Sequence, residues 1–309
     1  MEKVICIIGP TGVGKTRTSI ELAKMLETEV ISGDSMQIYR GMDIGTAKVT
    51  NEEADGIIHH QIDILDVDES YSVYEFQQNT RKLISEINNE EKIPVICGGT
   101  GFYIKATLFD YVFDNEETNE SARSEFIKKY QHLSNDDLHD LLKAVDPKSA
   151  EKNHPNNRRR VQRALEYYET HNKPMSDEVD KQEHEMIYDA YIIGLNLDRE
   201  MLYDRINKRV DIMVENGLVE EVKSFYDKGY SKDLQSMQGI GYKELYPYFE
   251  GNMELEDCLD RIKQLSRNYA KKQFTWFNNQ MTVNWYDVNL EDFDQTLDAI
   301  KKDVIKFLK

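Results

Sequence analysis

Cysteine is scarce in this chain of 309 residues: the 3 present, Cys6, Cys97 and Cys258, stand far apart and form no CxxC pair. A disulfide framework and a thiolate zinc site are therefore not indicated, and a reducing compartment is the simplest setting. Proline (6) and tryptophan (2) are also few, and nothing in the composition is low-complexity or fibrous. The first apolar run, Val4 to Ile8, is too short for a signal-peptide core or a membrane span, so a cytoplasmic protein with no membrane partner is expected. Positive charge is in deficit as well. Lys and Arg number 39 against 57 Asp and Glu, a formal net charge of −18. Taken alone, that balance argues against a nucleic-acid partner, although a net value says nothing about local patches.

What is present points to an ordered, helix-rich globular protein, with 39% hydrophobic and 31% charged residues. The length exceeds that of a usual single domain, so one large α/β unit or a core with an insert is expected. Val4 to Ile8 reads as a buried strand, and Ile20, Leu22, Ala23 and Leu26 give Thr16 to Leu26 a helical period. Val30-Ile31 and Ile93 to Cys97 read as further strands, with a helix from about Tyr74 to Asn88 between them. Strand-like Ala190 to Leu195 and helices near 202–215, 218–228 and 255–277 follow. Alternating strands and helices predict an α/β fold, a parallel sheet flanked by helices with its ligand beyond the strand carboxyl ends. From 115 to 185 the strand-like runs vanish and helical periods appear in 125–130, 136–145 and 158–170. The expected organisation is thus a core of 1–114 and 186–309 with an inserted helical subdomain, 115–185.

Gly9-Pro10-Thr11-Gly12-Val13-Gly14-Lys15-Thr16 fits GxxxxGK(S/T) between a strand and a helix, the context in which this motif forms a phosphate-binding P-loop. Backbone N–H groups of the loop and helix N-terminus would face phosphates, Lys15 would add a point charge, and the Thr16 hydroxyl would hold Mg²⁺. Such a loop carries the general expectation of nucleotide binding, ATP above all. Two absences weaken it. Asn207-Lys208-Arg209-Val210 lacks the Asp of a guanine-reading NKxD string, and the strand ending at Cys97 runs into Gly98-Gly99-Thr100-Gly101 rather than a magnesium-binding Asp. Only Asp63 and Asp66 offer a weak substitute. Asp34, directly after the second strand, sits at the expected crevice, where it either acts as a general base or caps the turn; the crevice position favours the base.

The stretch Ser32-Gly33-Asp34-Ser35-Met36-Gln37-Ile38-Tyr39-Arg40-Gly41-Met42-Asp43-Ile44-Gly45-Thr46-Ala47-Lys48 closely resembles the long motif of tRNA dimethylallyltransferases, also called isopentenyl-pyrophosphate transferases. Similar blocks recur at His59-His60, Ser70 to Val73, Gly98 to Lys105, His154 to Glu166, Gly239 to Leu245 and Tyr269 to Phe277, so the resemblance covers most of the chain. It implies a P-loop NTPase-like core and a reaction. A dimethylallyl group passes from dimethylallyl diphosphate to N6 of adenosine 37, beside the anticodon, in tRNAs that read codons starting with U. The products are N6-isopentenyladenosine and diphosphate, the cofactor is Mg²⁺, and a monomer is expected. Asp34 resembles the family base. Gly9, Thr11, Gly12, Val13, Gly14, Lys15 and Thr16 would then hold the departing diphosphate, with Lys15, Thr16 and Arg209 as its catalytic contacts. An exocyclic adenine nitrogen is a weak nucleophile because its lone pair is delocalised, so a carboxylate that takes its proton is chemically required.

Arg205 and Arg209 share a polar strip of a predicted helix; Arg209 is the expected diphosphate contact, with an ordinary solvated face paired to Asp204, Asp211 or Glu215 as the equal alternative. Arg158, Arg159, Arg160 and Arg163 form a concentrated positive spot in an acidic chain and are expected to hold RNA phosphates. Lys263, Arg267 and Lys271 repeat at helical spacing, with Arg267 and Lys271 the expected tRNA contacts, before Phe274, Trp276 and Phe277, aromatics that read better as a core anchor than as base-stacking surfaces. His59 and His60 read as structural rather than metal ligands. Met36, Gln37, Thr100 and Arg123 resemble family positions near the target base. The resemblance extends tRNA contact to Asp34, Ser35, Val161, Gln162, Gly239, Gly241, Tyr242 and Lys243, and no zinc-finger extension follows Phe277. Two other functions share the P-loop: a small-molecule kinase, and a nucleotide-switched RNA-binding module without catalysis.

Overall fold

The computed structural model describes residues 1–113, 126, 128–179 and 185–309. Among them, the strands β1 (Lys3–Ile8), β2 (Val30–Ser32), β3 (His59–His60), β4 (Val95–Gly98), β5 (Asp189–Asn196) and β6 (Asn284–Asp287) form one parallel sheet in the order β3-β2-β4-β1-β5-β6. Val4 to Ile8 have no exposure at all. β1 is central and covered on both faces, which is why its sequence is continuously apolar rather than alternating. On one face its odd residues Ile5 and Ile7 pack with Leu22, Ile193, Ile206 and Ile300. On the other, Val4, Cys6 and Ile8 pack with Ile84, Ile104 and Phe277. The period of two thus splits one strand between two cores.

The principal helices are α1 (Lys15–Leu26), α2 (Val73–Asn89), α3 (Gly101–Leu108), α4 (Asn135–Val145), α5 (Pro147–Lys152), α6 (Arg158–His171), α7 (Arg199–Glu215), α8 (Leu218–Asp227), α9 (Leu255–Gln280) and α10 (Phe293–Leu308). Local sequence sets their starts. Ser72 and Glu75 close a capping box on α2, as Ser134 and Asp137 do on α4, satisfying N–H groups that the first helical turn leaves over. The strands and helices expected from periodicity form, displaced by one to three residues at their ends, apart from the expected helix 125–130, which lies partly outside the described residues. β3, β6, α3, α5 and α10 come in addition.

The chain divides into two compact units, 1–109 with 186–309, and 110–185. The second unit has its own core of Phe126, Leu138, Leu142, Ala150, Val161, Ala164 and Leu165. Within it, the buried Asp146 carboxylate accepts from Ser149 N–H at 3.0 Å, Ser176 N–H at 3.0 Å and Ser176 Oγ at 2.6 Å. These bonds hold its pKa below the ordinary carboxylate value against the effect of burial.

In the first unit, parallel pairing sets the carboxyl ends of three strands side by side. Ile8 pairs with Gly98 and Ser32 with Cys97, so the segments after β1, β2 and β4 leave the sheet together. The contact is close enough to exclude a side chain: a Cβ on Gly98 would lie 2.3 Å from the Gly33 backbone. Gly98→Ala is therefore expected to cost about 3 kcal/mol of folding stability. An unchanged urea midpoint for this variant would contradict the close approach.

Candidate active site

Gly9 to Thr16 wrap the carboxyl end of β1 and enter α1. Gly9 and Gly14 adopt φ of 144° and 104°, outside the range open to most L-residues. Space forbids a side chain as well, since a Cβ would meet Leu195 O at 2.7 Å from Gly9 and the Phe293 ring at 2.7 Å from Gly14. No side chain caps α1. Its first N–H groups and the positive end of its dipole are left for an anion. Lys15 Nζ donates to Pro10 O at 2.8 Å, which folds the ammonium back along the loop. Burial pulls its pKa down to about 8; nearby Cys97 opposes that shift, Arg209 adds to it, and Asp34 opposes it.

Two polar clamps fix the loop. Thr11 N–H donates to Gln273 Oε1 at 3.3 Å, while Gln273 Nε2 donates to Gly99 O at 2.9 Å. The buried amide of α9 thereby ties the loop to the turn after β4. It fits because residue 99 is glycine, where a Cβ would sit 2.2 Å from Gln273 Nε2. On α7, Arg205 Nε donates to Gly12 O at 2.8 Å. Arg209, one turn further along α7, lines the same cavity as Lys15. Burial lowers its pKa from the ordinary guanidinium value, and the carboxylates of Asp34 and Glu53 oppose that.

Asp34 follows β2. Its Oδ1 accepts from Met36 N–H at 2.9 Å, and Ser35 N–H donates to Thr100 Oγ1 at 3.0 Å. The capping role and the cavity position thus coexist, since the carboxylate held by its own turn also lines the cavity. Ser32 Oγ donates to Gln37 Oε1 at 2.9 Å, and Gln37 Nε2 reaches Thr46 O and Ala47 O at 3.3 and 3.4 Å. The cavity, about 550 Å³, joins Thr11, Gly12, Gly14, Lys15, Thr16 and Arg209 to Asp34, Ser35, Met36, Gln37, Gly239, Gly241 and Tyr242. Val210, Met213, Leu218, Ile240 and Ile262 give it an apolar side. One end therefore suits concentrated negative charge, another a small apolar group, and a carboxylate serves both.

Other expected residues lie elsewhere. Val13 is 1% exposed and plugs the core, so only its backbone is available to a ligand. Gly9, Thr100 and Lys243 do not line the cavity; Lys243 Nζ donates to Gln238 Oε1 at 2.6 Å. Arg267 Nη1 donates to Asn207 Oδ1 at 2.5 Å, and Lys263 pairs with Asp211 at 2.6 Å, whereas Lys271 is exposed. Asp211 is thus spoken for by Lys263. Asp63 and Asp66, the weak substitutes for a metal-binding acid, pair at 2.5 Å with Lys48 and 2.8 Å with Arg40 and do not line the cavity. In the second unit, Arg159, Arg160 and Arg163 are exposed and Gln162 half-buried. Val161 is a correction: it has no exposure and packs inward, so its side chain is closed to RNA. Arg158 is half-buried, and its guanidinium donates to Leu133 O, Asn135 Oδ1 and Tyr130 O at 2.8, 3.1 and 3.0 Å. Arg123 lies outside the described residues.

His60 Nε2 lies 2.5 Å from Glu29 Oε2, and His59 Nδ1 bonds Ile57 O at 3.0 Å while the ring also lines the cavity. Phe277 is fully buried and Trp276 packs against Gly101, while Phe274, 37% exposed, contacts the Trp285 ring. Periodicity and spacing did not single out Gln273 or Tyr269, which lines the cavity. Burial, and then Asp34, push the Tyr269 hydroxyl up to about 12. Among the described residues no group of three or more His, Cys, Asp or Glu could hold a metal alone. The oxygen donors Thr16 and Asp34 do share the cavity.

The profile of the IPP transferase family matches residues 37–280. The chain belongs to this family. It is 53% identical over 300 residues to a tRNA dimethylallyltransferase of Bacillus cereus (strain AH820), covering 97% of this chain and 94% of that protein. It is similar to the crystal structure of a tRNA delta(2)-isopentenylpyrophosphate transferase from Staphylococcus epidermidis, at 47% identity and a TM-score of 0.73, with 99% of each chain covered. A eukaryotic dimethylallyltransferase acting on tRNA superposes at 33% identity and a TM-score of 0.85, over 99% of this chain and 80% of that one. An IPP transferase whose loop cation ionises near neutrality should bind anions with a pH step. The affinity for inorganic diphosphate, followed by calorimetry, is expected to fall as pH rises through about 8, where the free Lys15 ammonium loses its proton. Each further unit costs up to about tenfold. Lys15→Arg, charged throughout, should lose that step; identical pH profiles for the two proteins would contradict the assignment.

Proposed function

We propose that this protein transfers a dimethylallyl group from dimethylallyl diphosphate to N6 of adenosine 37, beside the anticodon, in tRNAs reading codons that start with U. The observation that carries the reading is the sharing of one cavity by Lys15, Arg209, Asp34 and an apolar wall. The names of relatives with 53% identity over nearly the whole chain agree with it. The absence of an acid at the end of β4, which stops at Gly98, fits a loop that holds a leaving group rather than a nucleotide being spent.

The bond that forms joins N6 to C1 of the allyl group, and the bond that breaks is C1–O of the diphosphate. Negative charge then gathers on the diphosphate, where the loop N–H groups, Lys15 and Arg209 stabilise it more strongly than in the ground state. Asp34 accepts the N6 proton, oriented by its bond from Met36 N–H. Low polarity along Val210, Met213 and Ile262 suits the allyl tail and keeps water from intercepting a cationic transition state. The donor set, a Thr16 hydroxyl beside substrate phosphates with Asp34 across the cavity, fits a hard cation that keeps most of its shell from phosphate and water. Thr16 would hold Mg²⁺, which would supply further charge neutralisation on the diphosphate.

Exposed Arg159, Arg160 and Arg163 on α6, and Lys271 on α9, are the proposed backbone contacts of the tRNA anticodon stem-loop. Met36, Gln37, Thr100, Gly239, Gly241, Tyr242 and Lys243 are proposed to serve the region of the base. A single chain supplies the whole cavity, which supports action as a monomer. No helix among the described residues is long and apolar enough to cross a membrane, and a tRNA substrate supports a cytoplasmic setting.

Incubation with dimethylallyl diphosphate, Mg²⁺ and unmodified tRNA is expected to yield isopentenyladenosine by nucleoside mass spectrometry. A phosphorylated small molecule formed from ATP, with no isopentenyladenosine, would replace this reading with a kinase. Asp34→Asn should lower kcat by about 10²–10⁴-fold while tRNA affinity stays within about threefold. Arg160→Glu should instead weaken tRNA binding by about tenfold and flatten its salt dependence; equal loss of binding in both variants would contradict these roles.

A further inference from the structure

Glu221, in the first turns of α8, does not line the cavity, yet its carboxylate gathers three consecutive backbone donors. Oε2 accepts from Asp43 N–H at 2.9 Å and Ile44 N–H at 2.8 Å, and Oε1 from Gly45 N–H at 3.1 Å. Oε1 also accepts the Tyr242 hydroxyl at 2.7 Å. Successive amides converging on one anion form a nest, and a carboxylate is the side chain that can satisfy all of them at once.

These donors belong to two stretches of the cavity wall that are far apart in sequence. Residues 45–47 line it directly, and so does Tyr242 with the Gly239–Gly241 loop. Gly45 and Tyr242 touch so closely that a Cβ on Gly45 would lie 2.6 Å from the phenol ring. From Thr46 and Ala47 the connection passes through Gln37 to Ser32, whose Oγ also accepts from Asp34 N–H at 3.4 Å. This wall carries no Lys or Arg, unlike the P-loop side. It therefore faces the neutral acceptor rather than the diphosphate.

We propose that Glu221 is a positioning residue that holds residues 43–47 and Tyr242 in register with Asp34, so that the acceptor base meets the carboxylate at the right place. The proposal rests on the prenyl-transfer reading for its substrates. Removing the charge would leave three N–H groups aimed at a poorer acceptor and loosen one wall, without touching the grip.

Glu221→Gln keeps the volume but turns one acceptor oxygen into a donor. It is expected to lower kcat/KM for tRNA by about 10- to 100-fold, while KM for dimethylallyl diphosphate stays within about threefold. Glu221→Asp, which keeps the charge, should recover part of the loss. Hydrogen–deuterium exchange should quicken in peptides covering residues 42–47 of the Gln variant, with the P-loop peptides unchanged. Unaltered exchange in 42–47 would overturn the proposal, as would equal loss against both substrates with faster exchange throughout the protein. A wild-type protein that makes no isopentenyladenosine would sink the prenyl-transfer reading instead, and the exchange pattern alone would then decide the role of Glu221.

Discussion

A cluster of positive charge at the carboxyl edge of a sheet is the constraint on which the structure turns. Uncapped N–H groups at the start of α1 stand beside Lys15 and Arg209, which line one cavity and whose pKa values burial lowers. Such an arrangement is costly in the absence of an anion, because like charges repel more strongly as water is excluded. It persists only if the surrounding fold over-determines it. Gln273 from α9, Arg205 from α7 and the glycines of the loop do that, each by a contact that leaves the loop little freedom. Asp34 is the fixed negative partner, and its field reaches both cations.

Preorganisation of this kind is what a leaving group requires. A diphosphate gains charge as the C1–O bond breaks, and dipoles already in place stabilise it without reorganising. The sheet order contributes by putting the segments after β1, β2 and β4 next to one another, with a glycine contact where a side chain would push them apart. Helices from distant parts of the chain then close the cavity, and residues 45–47 and 239–242, anchored through Glu221, form the wall that carries no cation.

Much of this was legible in the residues. Gly9 to Thr16 could be read because each position has a steric or electrostatic reason, and β1 because a strand covered on both faces must be apolar throughout. Asp34 was legible from its place after β2, together with the family-like motif around it. β6 was not, being a short edge strand with half of its residues exposed. α10 carries Leu297, Ile300 and Val304 at helical spacing, but lies beyond the motif blocks that organised the reading. Gln273 and Glu221 escaped because a helical Gln or Glu looks the same in sequence whether it is solvated or clamps a backbone. Val161 shows the reverse error, in which a neighbour of exposed arginines is given the same role. Helical period turns Val161 inward with Ala164 and Leu165 while Arg159, Arg160 and Arg163 remain outside.

The central claim is that the P-loop holds the group being expelled. A single-turnover reaction with dimethylallyl diphosphate labelled in its phosphates, carried out without nucleotide, tests it most directly. The account predicts one intact diphosphate released for each tRNA modified, at the same rate and with no requirement for ATP. Release of orthophosphate, or modification only when ATP is hydrolysed, would contradict it.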